Sequence, residues 1–413
     1  MRILWLKTEL LHPIDKGGKI RTYQMLRELK KEHQVTYLCL DDGTAESDAL
    51  EKASEYAHKV ITIPHKTAAK FTTAFYLELI RNLRSPLPYA LQKYVSSEFR
   101  EAVESLSRSG NFDLLICDFL APAVNVPQDL PIPTLLFQHN VEAMIWQRHF
   151  EVAKNPLRRS YFELQWKRMR TFESEKSKQF DRVVAVSEED AQVMKKDYGI
   201  SNVSHVETGV DTEYFAPSDR QDDSGTQIVF TGSMDWLPNE DGVNWFTAQI
   251  FPRVKERIPE ATFSIVGRSP SPALLSLAAA DTTINVTGRV PDVRPYMSRA
   301  SVFVVPIRIG GGTRLKIYEA MAMGLPVVST TIGAEGLSVR DGADVFLRDD
   351  PDAFADAVVN LIRDRELARR IGTEAAARVQ RNNSWNKVAA DFTEACHLAV
   401  GKTASAGIAM QNV

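Results

Sequence analysis

The sequence contains few cysteines, no long apolar run and almost no net charge. Its three cysteines, Cys39, Cys117 and Cys396, are far apart and odd in number, so they build neither a disulfide framework nor a CxxC metal site, which suits a reducing cytosol. Lys and Arg number 50 against 53 Asp and Glu, a net charge of −3 that indicates no nucleic-acid partner. No stretch approaches the ~18 consecutive apolar residues of a membrane-spanning helix, and the start MRILWLKTEL is too interrupted for a signal peptide. We therefore expect a cytoplasmic protein that at most rests on the inner face of the cell membrane.

What the chain does contain is material for more than one globular domain. Its 413 residues, 44% apolar and 25% charged, suffice for two to four domains at roughly 100–200 residues each. Short apolar runs alternate with segments of helical period, which predicts βαβ units around parallel sheets. The predicted strands are Ile3–Leu6, Val35–Leu40, Leu114–Cys117, Thr134–Phe137 and Arg182–Val186, then Gln227–Phe230, Thr262–Val266, Ile284–Val286, Val302–Val305 and Pro326–Thr330. The expected fold class is α/β, with two doubly wound domains facing each other across a cleft.

Composition also indicates the domain boundaries. A polar segment at residues 216–226 separates the two series of strands, so we expect an N-terminal domain over residues 1–205 and a C-terminal domain over residues 206–384. Asn and Ser residues just before Trp385 can cap a last helix over residues 385–400, and the small, polar residues 401–413 predict a frayed tail.

Two glycine-rich segments follow predicted strands, where ligands of open α/β sheets bind. Gly17 and Gly18 precede a helix, and adjacent glycines let backbone amides approach an anion, although a plain strand-to-helix turn explains them too. The second segment, Arg308–Glu319, has three consecutive glycines and then Arg314 and Lys316 in or beside the first helical turn. Cations there oppose the helix dipole at a cost of about 0.3–1 kcal/mol each, which favours a bound diphosphate. The GxGxxG pattern of nicotinamide-binding domains is absent.

Two further side chains are candidates for contacts with a sugar or a ribose. Glu319 lies further along the same helix, where its carboxylate can accept hydrogen bonds from vicinal hydroxyls, although a solvated helix glutamate is an equal alternative. His139 follows a strand and could bond a polyhydroxy ligand or relay a proton, while Asn140 could cap the next helix. Asp118 and Asp235 also follow strands and could line the cleft, although loop capping is the simpler explanation for each. The eight histidines form no close pair, so no metal site is expected.

At these residues the sequence resembles the retaining GT-B glycosyltransferases of the "glycosyl transferases group 1" type. The matching segments, in order, are the Gly17-Gly18 loop, FDRVVAVSE at 180–188, TGVDTEYFAP at 208–217, VFTGS at 229–233, FSIVG at 263–267, VTGRV at 286–290 and EAMAMGLPVVST at 319–330. The resemblance spans almost the whole chain. It implies two Rossmann-like domains, with the last helix returning from Trp385 to the N-terminal domain.

The resemblance implies a nucleoside-diphosphate sugar as donor, held mainly by the C-terminal domain. Backbone amides would meet the diphosphate, Glu319 would meet the ribose, and His139 would lie near the transferred sugar. The donor-binding residues expected on this basis are Gly17, Gly18, Gly232, Arg289, Gly311, Gly312, Thr313 and Glu319.

Two departures from the family pattern change the expected contacts. Gly311 stands where the family usually has a glutamate, eight residues before Glu319, and this affects recognition of the donor sugar. The stretch after Gly232 lacks the arginine and lysine that the family often has there, so we expect Arg314 and Lys316 to neutralise the leaving diphosphate and count them, with His139, as catalytic. No acidic cluster looks like a metal-binding DxD, so we expect transfer without a metal or another cofactor.

The expected function is retaining transfer of a hexose-type sugar to a hydroxyl of a glycan, a glycolipid or a lipid-linked saccharide. The acceptor would attack on the face from which the phosphate leaves, and a phosphate oxygen would take its proton. A nucleotide-sugar epimerase on the same fold and a non-catalytic homologue that binds a nucleotide sugar are the alternatives.

Two segments of the N-terminal domain are basic and rich in aromatic residues. Residues 59–100 hold seven Lys or Arg against two acids, and residues 143–180 hold nine against four, a net charge of +5 in each case. Such segments predict contact with an anionic membrane or a lipid-linked acceptor, although an amphipathic helix packed on the domain explains them as well.

Overall fold

The chain folds into two compact units. The computed structural model describes residues 1–14, 17–69, 71–217, 225–309 and 314–411, the last ten as backbone only. Met1–Glu207 and Val388–Val413 form the N-terminal unit, and Thr208–Lys387 form the C-terminal unit.

The N-terminal unit is built on a seven-stranded parallel sheet in the order β3-β2-β1-β4-β5-β6-β7. Helices cover both faces of such a sheet, which is why its strands are apolar runs without alternation; β4, for example, is buried throughout. The strands are β1 (Arg2–Lys7), β2 (Gln34–Asp41), β3 (Lys59–Pro64), β4 (Leu114–Asp118), β5 (Thr134–Phe137), β6 (Arg182–Ala185) and β7 (Val203–His205).

The helices of this unit begin at recognisable capping residues. The side chains of Ser96, Asn155 and Ser187 accept hydrogen bonds from backbone N–H groups in the first turns of α5, α7 and α8. The helices are α1 (Gly17–Glu32), α2 (Ala49–Lys52), α3 (Thr73–Asn82), α4 (Tyr89–Gln92), α5 (Ser97–Arg108), α6 (Glu142–Val152), α7 (Pro156–Ser177) and α8 (Glu188–Lys196).

The C-terminal unit repeats this plan with a six-stranded parallel sheet in the order β10-β9-β8-β11-β12-β13. Its strands are β8 (Gln227–Thr231), β9 (Thr262–Val266), β10 (Ile284–Val286), β11 (Val302–Val305), β12 (Val327–Ser329) and β13 (Phe346–Leu347). Its helices are α9 (Leu237–Trp245), α10 (Phe251–Arg257), α11 (Pro272–Ala280), α12 (Arg294–Ser298), α13 (Leu315–Ala322), α14 (Pro351–Arg363) and α15 (Arg365–Asn382). In each sheet the strand order reverses once, between β1 and β4 and between β8 and β11.

The last helix, α16 (Trp385–Gln411), is longer than predicted. The ring of Phe392 lies 5.9 Å from the ring of Trp5 and 4.8 Å from that of Phe137, so the helix packs on the sheet of the N-terminal unit. It continues to Gln411, through most of the residues 401–413 for which the sequence predicts a frayed tail. The physical reason is helix propensity, because three alanines follow residue 401 and alanine is the strongest helix former.

All ten predicted strands are present, with ends that agree to within one residue. The strands that sequence patterns missed are β3, β7 and β13, which lie on the edges of the two sheets. An edge strand is short or half-exposed, so its sequence carries little apolar signal. Within the described ranges, no helix has both the length and the apolar character needed to cross a membrane.

Candidate active site

The N-terminal unit gathers charged and polar side chains at one edge of its sheet. Strands β1, β4 and β5 are parallel neighbours, so their carboxyl ends lie side by side. Lys7 ends β1, Asp118 ends β4, and His139 lies two residues beyond β5. All three side chains are buried. They stand where the strand order reverses, which is the usual ligand site of a doubly wound sheet.

A single carboxylate organises this edge. Asp118 Oδ2 accepts hydrogen bonds from Lys7 Nζ at 2.8 Å, from Thr22 Oγ1 at 2.6 Å and from Trp5 Nε1 at 3.0 Å. Its other oxygen, Oδ1, lies 2.8 Å from His139 Nε2. Because all of these groups are buried, the carboxylate fixes the ammonium group and the imidazole relative to each other.

Burial and charge together set the protonation states of this cluster. Burial alone would raise the pKa of the Asp118 carboxyl, but Lys7 and His139 outweigh it and hold that pKa well below its usual range. Burial lowers the pKa of His139 to about 3, and the nearby cations Arg21 and Lys7 add to the lowering while Asp118 opposes it. The imidazole is therefore uncharged at neutral pH. Nε2 lies 2.8 Å from Asp118 Oδ1 without hydrogen-bond geometry, and Nδ1 also has no hydrogen-bond partner among the described residues, so the neutral ring keeps a nitrogen that can accept a hydrogen bond from a hydroxyl.

Phe119 packs between this cluster and the first helix. It follows Asp118 with a φ of +73°, a conformation that costs a residue with a side chain about 1–3 kcal/mol. Its ring stacks on His139 with centroids 3.7 Å apart, and Lys7 Nζ lies 4.1 Å from the ring centroid. A Cβ on Gly18 would lie 2.9 Å from the same ring. Gly18 thus lets Phe119 pack against the start of α1, of which Gly17 is the first residue.

Helix α6, which follows His139, is capped by a distant carboxylate. Its N-cap residue makes no side-chain cap, so the predicted capping role of Asn140 is wrong. Glu173 of α7 instead accepts hydrogen bonds from the backbone N–H of Glu142 at 2.8 Å and of Ala143 at 3.0 Å. The hydroxyl of Tyr198 also donates to Glu173, at 2.8 Å. Burial raises the pKa of Glu173 to about 8, and its two side-chain oxygens satisfy two backbone N–H groups of α6, so this buried cap holds α6 and α7 together.

The matching edge of the C-terminal unit combines two glycine loops with a lysine. Gly232 follows β8 and Gly267 follows β9, and these strands are neighbours. A Cβ on Gly267 would lie 1.8 Å from the carbonyl oxygen of Gly232, and a Cβ on Gly232 would lie 2.6 Å from Lys316 Nζ. Lys316 Nζ donates to Asn239 Oδ1 at 3.0 Å and lies 4.1 Å from the centroid of the Phe230 ring. Glycine is required at Gly267, where a side chain would collide with backbone, whereas a side chain at Gly232 would displace the ends of the Lys316 and Asn239 side chains.

Helix α13 carries the two cations that the sequence singled out. It begins directly after Arg314, whose guanidinium lies 4.8 Å from the ring of Trp236, and it ends before Gly324, which has the expected left-handed φ of +70°. Burial lowers the pKa of Lys316 to about 7, and Arg314 adds to the lowering. Burial also raises the pKa of Glu319, one turn further on, to about 7. A lysine and a glutamate that both titrate near neutrality on one helix mark a candidate functional site.

The other predicted donor-binding residues lie partly outside the description. Gly311, Gly312 and Thr313 fall outside the described residues. Arg289 is exposed in the loop that follows β10. Asp235 accepts a hydrogen bond from a serine of its own loop, at 2.5 Å, as expected of a loop residue. No three His, Cys, Asp or Glu side chains are grouped as metal ligands in the part of the chain that the structure describes.

Comparisons with known proteins now decide the family. The model of "Glycosyltransferase Family 4" matches residues 16–214, and that of "Glycosyl transferases group 1" matches residues 225–364. The chain belongs to the glycosyl transferases group 1 family. Together the two matches cover most of both units of this glycosyltransferase, which confirms the resemblance predicted from its motifs.

Three similar proteins illustrate the family. An uncharacterized 44.6 kDa protein of the Klebsiella pneumoniae cps region is 21% identical over 94% of this chain and 97% of its own length. The UDP-Gal:alpha-D-GlcNAc-diphosphoundecaprenol alpha-1,3-galactosyltransferase of Escherichia coli is 26% identical over 45% of this chain and 52% of its own, so the match spans about half of that enzyme. Anabaena HepE, solved with UDP and glucose, is 14% identical with a TM-score of 0.64 over 95% of this chain and 98% of its own. The two parallel-sheet α/β domains thus confirm the predicted GT-B fold class.

Sequence reasoning missed part of what the structure brings together. Asp118 was noted after its strand, but its contacts show the centre of a buried cluster and not a loop cap. Lys7 had a signal in the sequence, since a lysine ends an otherwise apolar strand. Asn239 had none, because only the fold shows that it meets Lys316.

Proposed function

We propose that this glycosyltransferase moves a hexose from a nucleoside-diphosphate sugar to a hydroxyl of a glycan or lipid-linked saccharide, with retention and without a metal. The observation that carries the proposal is the position of Lys316. Its ammonium group lies against Gly232, in the loop after β8, where this chain lacks the cations that its family often has. A cation supplied from α13 restores the positive charge at that loop.

The C-terminal unit would hold the donor. Lys316 and Arg314 would neutralise the charge that grows on the departing diphosphate, which is the main electrostatic demand of glycosyl transfer. The half-buried carboxylate of Glu319 would accept hydrogen bonds from the two ribose hydroxyls. Backbone amides of Gly311, Gly312 and Thr313 would complete the contacts with the diphosphate, with Gly17 and Gly18 assisting. Arg289, in the loop after β10, would lie towards the nucleoside.

His139 would contact the transferred sugar. Its neutral imidazole keeps one ring nitrogen open as an acceptor, and Asp118 and Phe119 fix the plane of the ring. An uncharged histidine suits this place, because it can accept a hydrogen bond from a sugar hydroxyl without repelling an oxocarbenium-like sugar.

The bond changes balance without an additional reactant. The bond between the sugar's anomeric carbon and the diphosphate oxygen breaks, and a bond from that carbon to the acceptor oxygen forms on the same face. The acceptor proton passes to the departing phosphate oxygen. The residues of the chain position the reactants and stabilise charge, and none needs to form a covalent intermediate.

Similar proteins support the class of acceptor. The Klebsiella relative comes from a cps region, and the E. coli relative is named for a diphosphoundecaprenol-linked acceptor. These names support a role in polysaccharide biosynthesis with a glycan or lipid-linked acceptor.

A panel of UDP-, GDP- and ADP-sugars, each with and without acceptor, tests the reaction. We expect rapid release of nucleoside diphosphate only when donor and acceptor are both present, and an α-linked product from an α-linked donor in NMR spectra. Altered sugar without acceptor would instead identify an epimerase, and no reaction with bound nucleotide sugar would identify a non-catalytic homologue. Loss of turnover after chelator treatment, restored by a divalent metal, would contradict the metal-independent mechanism.

Two alanine variants test whether Arg314 and Lys316 stabilise the transition state of transfer. We expect Arg314→Ala and Lys316→Ala each to lower turnover at least tenfold, which is about 1.4 kcal/mol of transition-state stabilisation. Arg308→Ala is the matched control, because that guanidinium lies in the same loop but already pairs with Asp241 at 2.8 Å. If turnover of Arg314→Ala stays within about threefold of wild type, the loss of transition-state stabilisation is below about 0.7 kcal/mol, and Arg314 does not neutralise the diphosphate.

A further inference from the structure

Helix α3 of the N-terminal unit exposes its apolar residues and buries a polar one. Its buried residue is Asn82, whereas Tyr76, Leu77 and Ile80 are 51%, 49% and 62% exposed. Phe71 before the helix and Leu83 after it are 80% and 50% exposed. These five apolar side chains, called the α3 face below, are clustered within thirteen residues of the chain. Soluble proteins seldom expose such clusters unless a partner covers them.

The orientation of α3 is fixed by its polar side. The guanidinium of Arg168, on α7, donates to the backbone carbonyls of Asn82 and Leu83, each at 2.8 Å. Gln165 Nε2 donates to Asn82 Oδ1 at 3.2 Å, and the hydroxyl of Tyr89 donates to Glu78 at 2.8 Å. These bonds hold the helix to the rest of the unit with its apolar side outward. The exposure of the apolar side chains of α3 therefore follows from how the helix is attached to the fold.

Cations lie along one side of the α3 face. A cavity of about 510 Å³ beside the helix is lined by Lys66, Arg81, Arg84 and Lys93. Glu78 is the one carboxylate in its lining, and the hydroxyl of Tyr89 already donates to it. An apolar helix face bordered by cations is complementary to a surface that is apolar inside and anionic outside.

The second basic segment, residues 143–180, does not offer such a face. Its aromatic side chains pack on one another within the α6–α7 pair, as when Phe150 stacks on Trp166 with centroids 5.6 Å apart and Trp146 contacts Phe162 at 6.2 Å. The amphipathic-helix alternative therefore fits the aromatic side chains of that segment, whose exposed large apolar residues are two, Val152 and Leu157, against the five of the α3 face.

We propose that the α3 face binds a bilayer that contains anionic phospholipid. The five apolar side chains enter the boundary between headgroups and acyl chains, and the cations of the cavity lie against lipid phosphates. This inference does not depend on the reaction proposed above, because it concerns where the N-terminal unit rests and not what it transfers.

Co-sedimentation of the full chain with vesicles tests the proposal. We expect the protein to pellet with vesicles of equimolar phosphatidylcholine and phosphatidylglycerol, and much less with phosphatidylcholine alone. The double variant Leu77→Glu/Ile80→Glu should bind at least about tenfold more weakly, since it replaces two insertable side chains by charges. Arg81→Glu/Arg84→Glu should lose the preference for anionic vesicles. Leu275→Glu is the matched control, because Leu275 is also 49% exposed but lies on α11 of the C-terminal unit.

Three outcomes would overturn the proposal. They are a wild-type protein that stays in the supernatant with anionic vesicles, a Leu77→Glu/Ile80→Glu variant that binds as well as Leu275→Glu, and equal binding to neutral and anionic vesicles. Release of nucleoside diphosphate with a water-soluble acceptor should be the same in all of these variants. A failure of membrane binding and a failure of glycosyl transfer are thereby measured separately.

Discussion

Removal of the Asp118 charge provides the sharpest test of how the N-terminal unit is held together. The carboxylate is fully buried, accepts three hydrogen bonds and lies 2.8 Å from His139 Nε2. In Asp118→Asn, Lys7 remains buried without a counter-charge, and breaking a buried pair in this way typically costs about 3–5 kcal/mol. We expect the free energy of unfolding of the N-terminal unit to fall by that amount.

The assay must follow one unit of a two-unit chain. Hydrogen exchange of peptides from β1 and β4, measured along a urea titration, reports the N-terminal unit alone and avoids treating the whole chain as a two-state system. Asp113→Asn is the matched control, because Asp113 pairs at 2.6 Å with Arg2, also on β1, but both side chains are largely exposed. Such a pair contributes little, so its loss should be much smaller.

A double variant separates the charge pair from other effects of the substitution. Adding Lys7→Met to Asp118→Asn removes the uncompensated charge, so the two changes together should cost less than the sum of their single effects, by roughly 0.5–3 kcal/mol. Additive effects, or equal losses from Asp118→Asn and Asp113→Asn, would refute the interpretation of Asp118 as the centre of the cluster.

Acid titration gives an independent check on the same cluster. In the folded state the pKa values of both Asp118 and His139 lie below their ordinary values. Groups shifted in this direction stabilise the fold above their ordinary pKa and lose that contribution as the pH falls. The N-terminal unit should therefore lose stability between about pH 6.5 and about pH 3, because over that range His139 takes up a proton in the unfolded chain but not in the folded one, and His139→Gln should remove this part of the loss.

Three further predictions concern other contacts. Gly232→Ala places a Cβ 2.6 Å from Lys316 Nζ and should weaken calorimetric binding of a nucleoside diphosphate at least about tenfold, whereas Gly401→Ala, which meets no atom within 4 Å, should not. Glu173→Ala removes the acceptor of two backbone N–H groups of α6 and should destabilise the N-terminal unit by about 2–4 kcal/mol. Hydrogen exchange at Glu142 and Ala143 should become faster, and unchanged exchange would contradict the capping role of Glu173. Nucleoside-diphosphate affinity should fall as the pH rises through about 7, because Lys316 loses its proton there. In Lys316→Gln this fall should become shallower, and a slope equal to that of the wild type would exclude Lys316 as the titrating cation.

The helices and strands were predictable because the strands of a buried parallel sheet can be recognised from the local sequence pattern. Strands such as β4 and β9 are short apolar runs between polar segments, and their ends were predicted to within one residue. The edge strand β3 was missed because its side chains are half-exposed. The prediction that Asn140 caps α6 is wrong although a serine, asparagine or aspartate before a helix usually is the cap. The actual cap, Glu173, lies 30 residues beyond Ala143 and no local pattern points to it.

Candidate site residues were predictable only where the chemistry was concentrated in one segment. Arg314, Lys316 and Glu319 lie close together in the sequence, so an unusual helix start revealed them. The cluster around Asp118 is assembled from β1, α1, β4 and the segment after β5, and each of its members alone resembles an ordinary strand end. Long-range assembly, and not weak chemistry, hid that cluster from sequence reasoning.

The carboxyl-end edges of the two sheets have the same strand topology but differ in how the positive charge of a lysine is compensated. At the N-terminal edge the positive charge of Lys7 is compensated within the fold, because Asp118 binds it directly. At the C-terminal edge the hydrogen bond of Lys316 is to the neutral amide of Asn239, and among the described residues its ammonium makes no ion pair. Burial lowers the pKa of Lys316 to about 7, Arg314 adds to the lowering, and the charge of Glu319 opposes it only in part. Binding of a diphosphate would supply the missing negative charge and return that pKa towards its ordinary value. Proton uptake should therefore accompany nucleoside-diphosphate binding near neutral pH, and it is the C-terminal edge, not the compensated N-terminal one, from which that proton linkage arises.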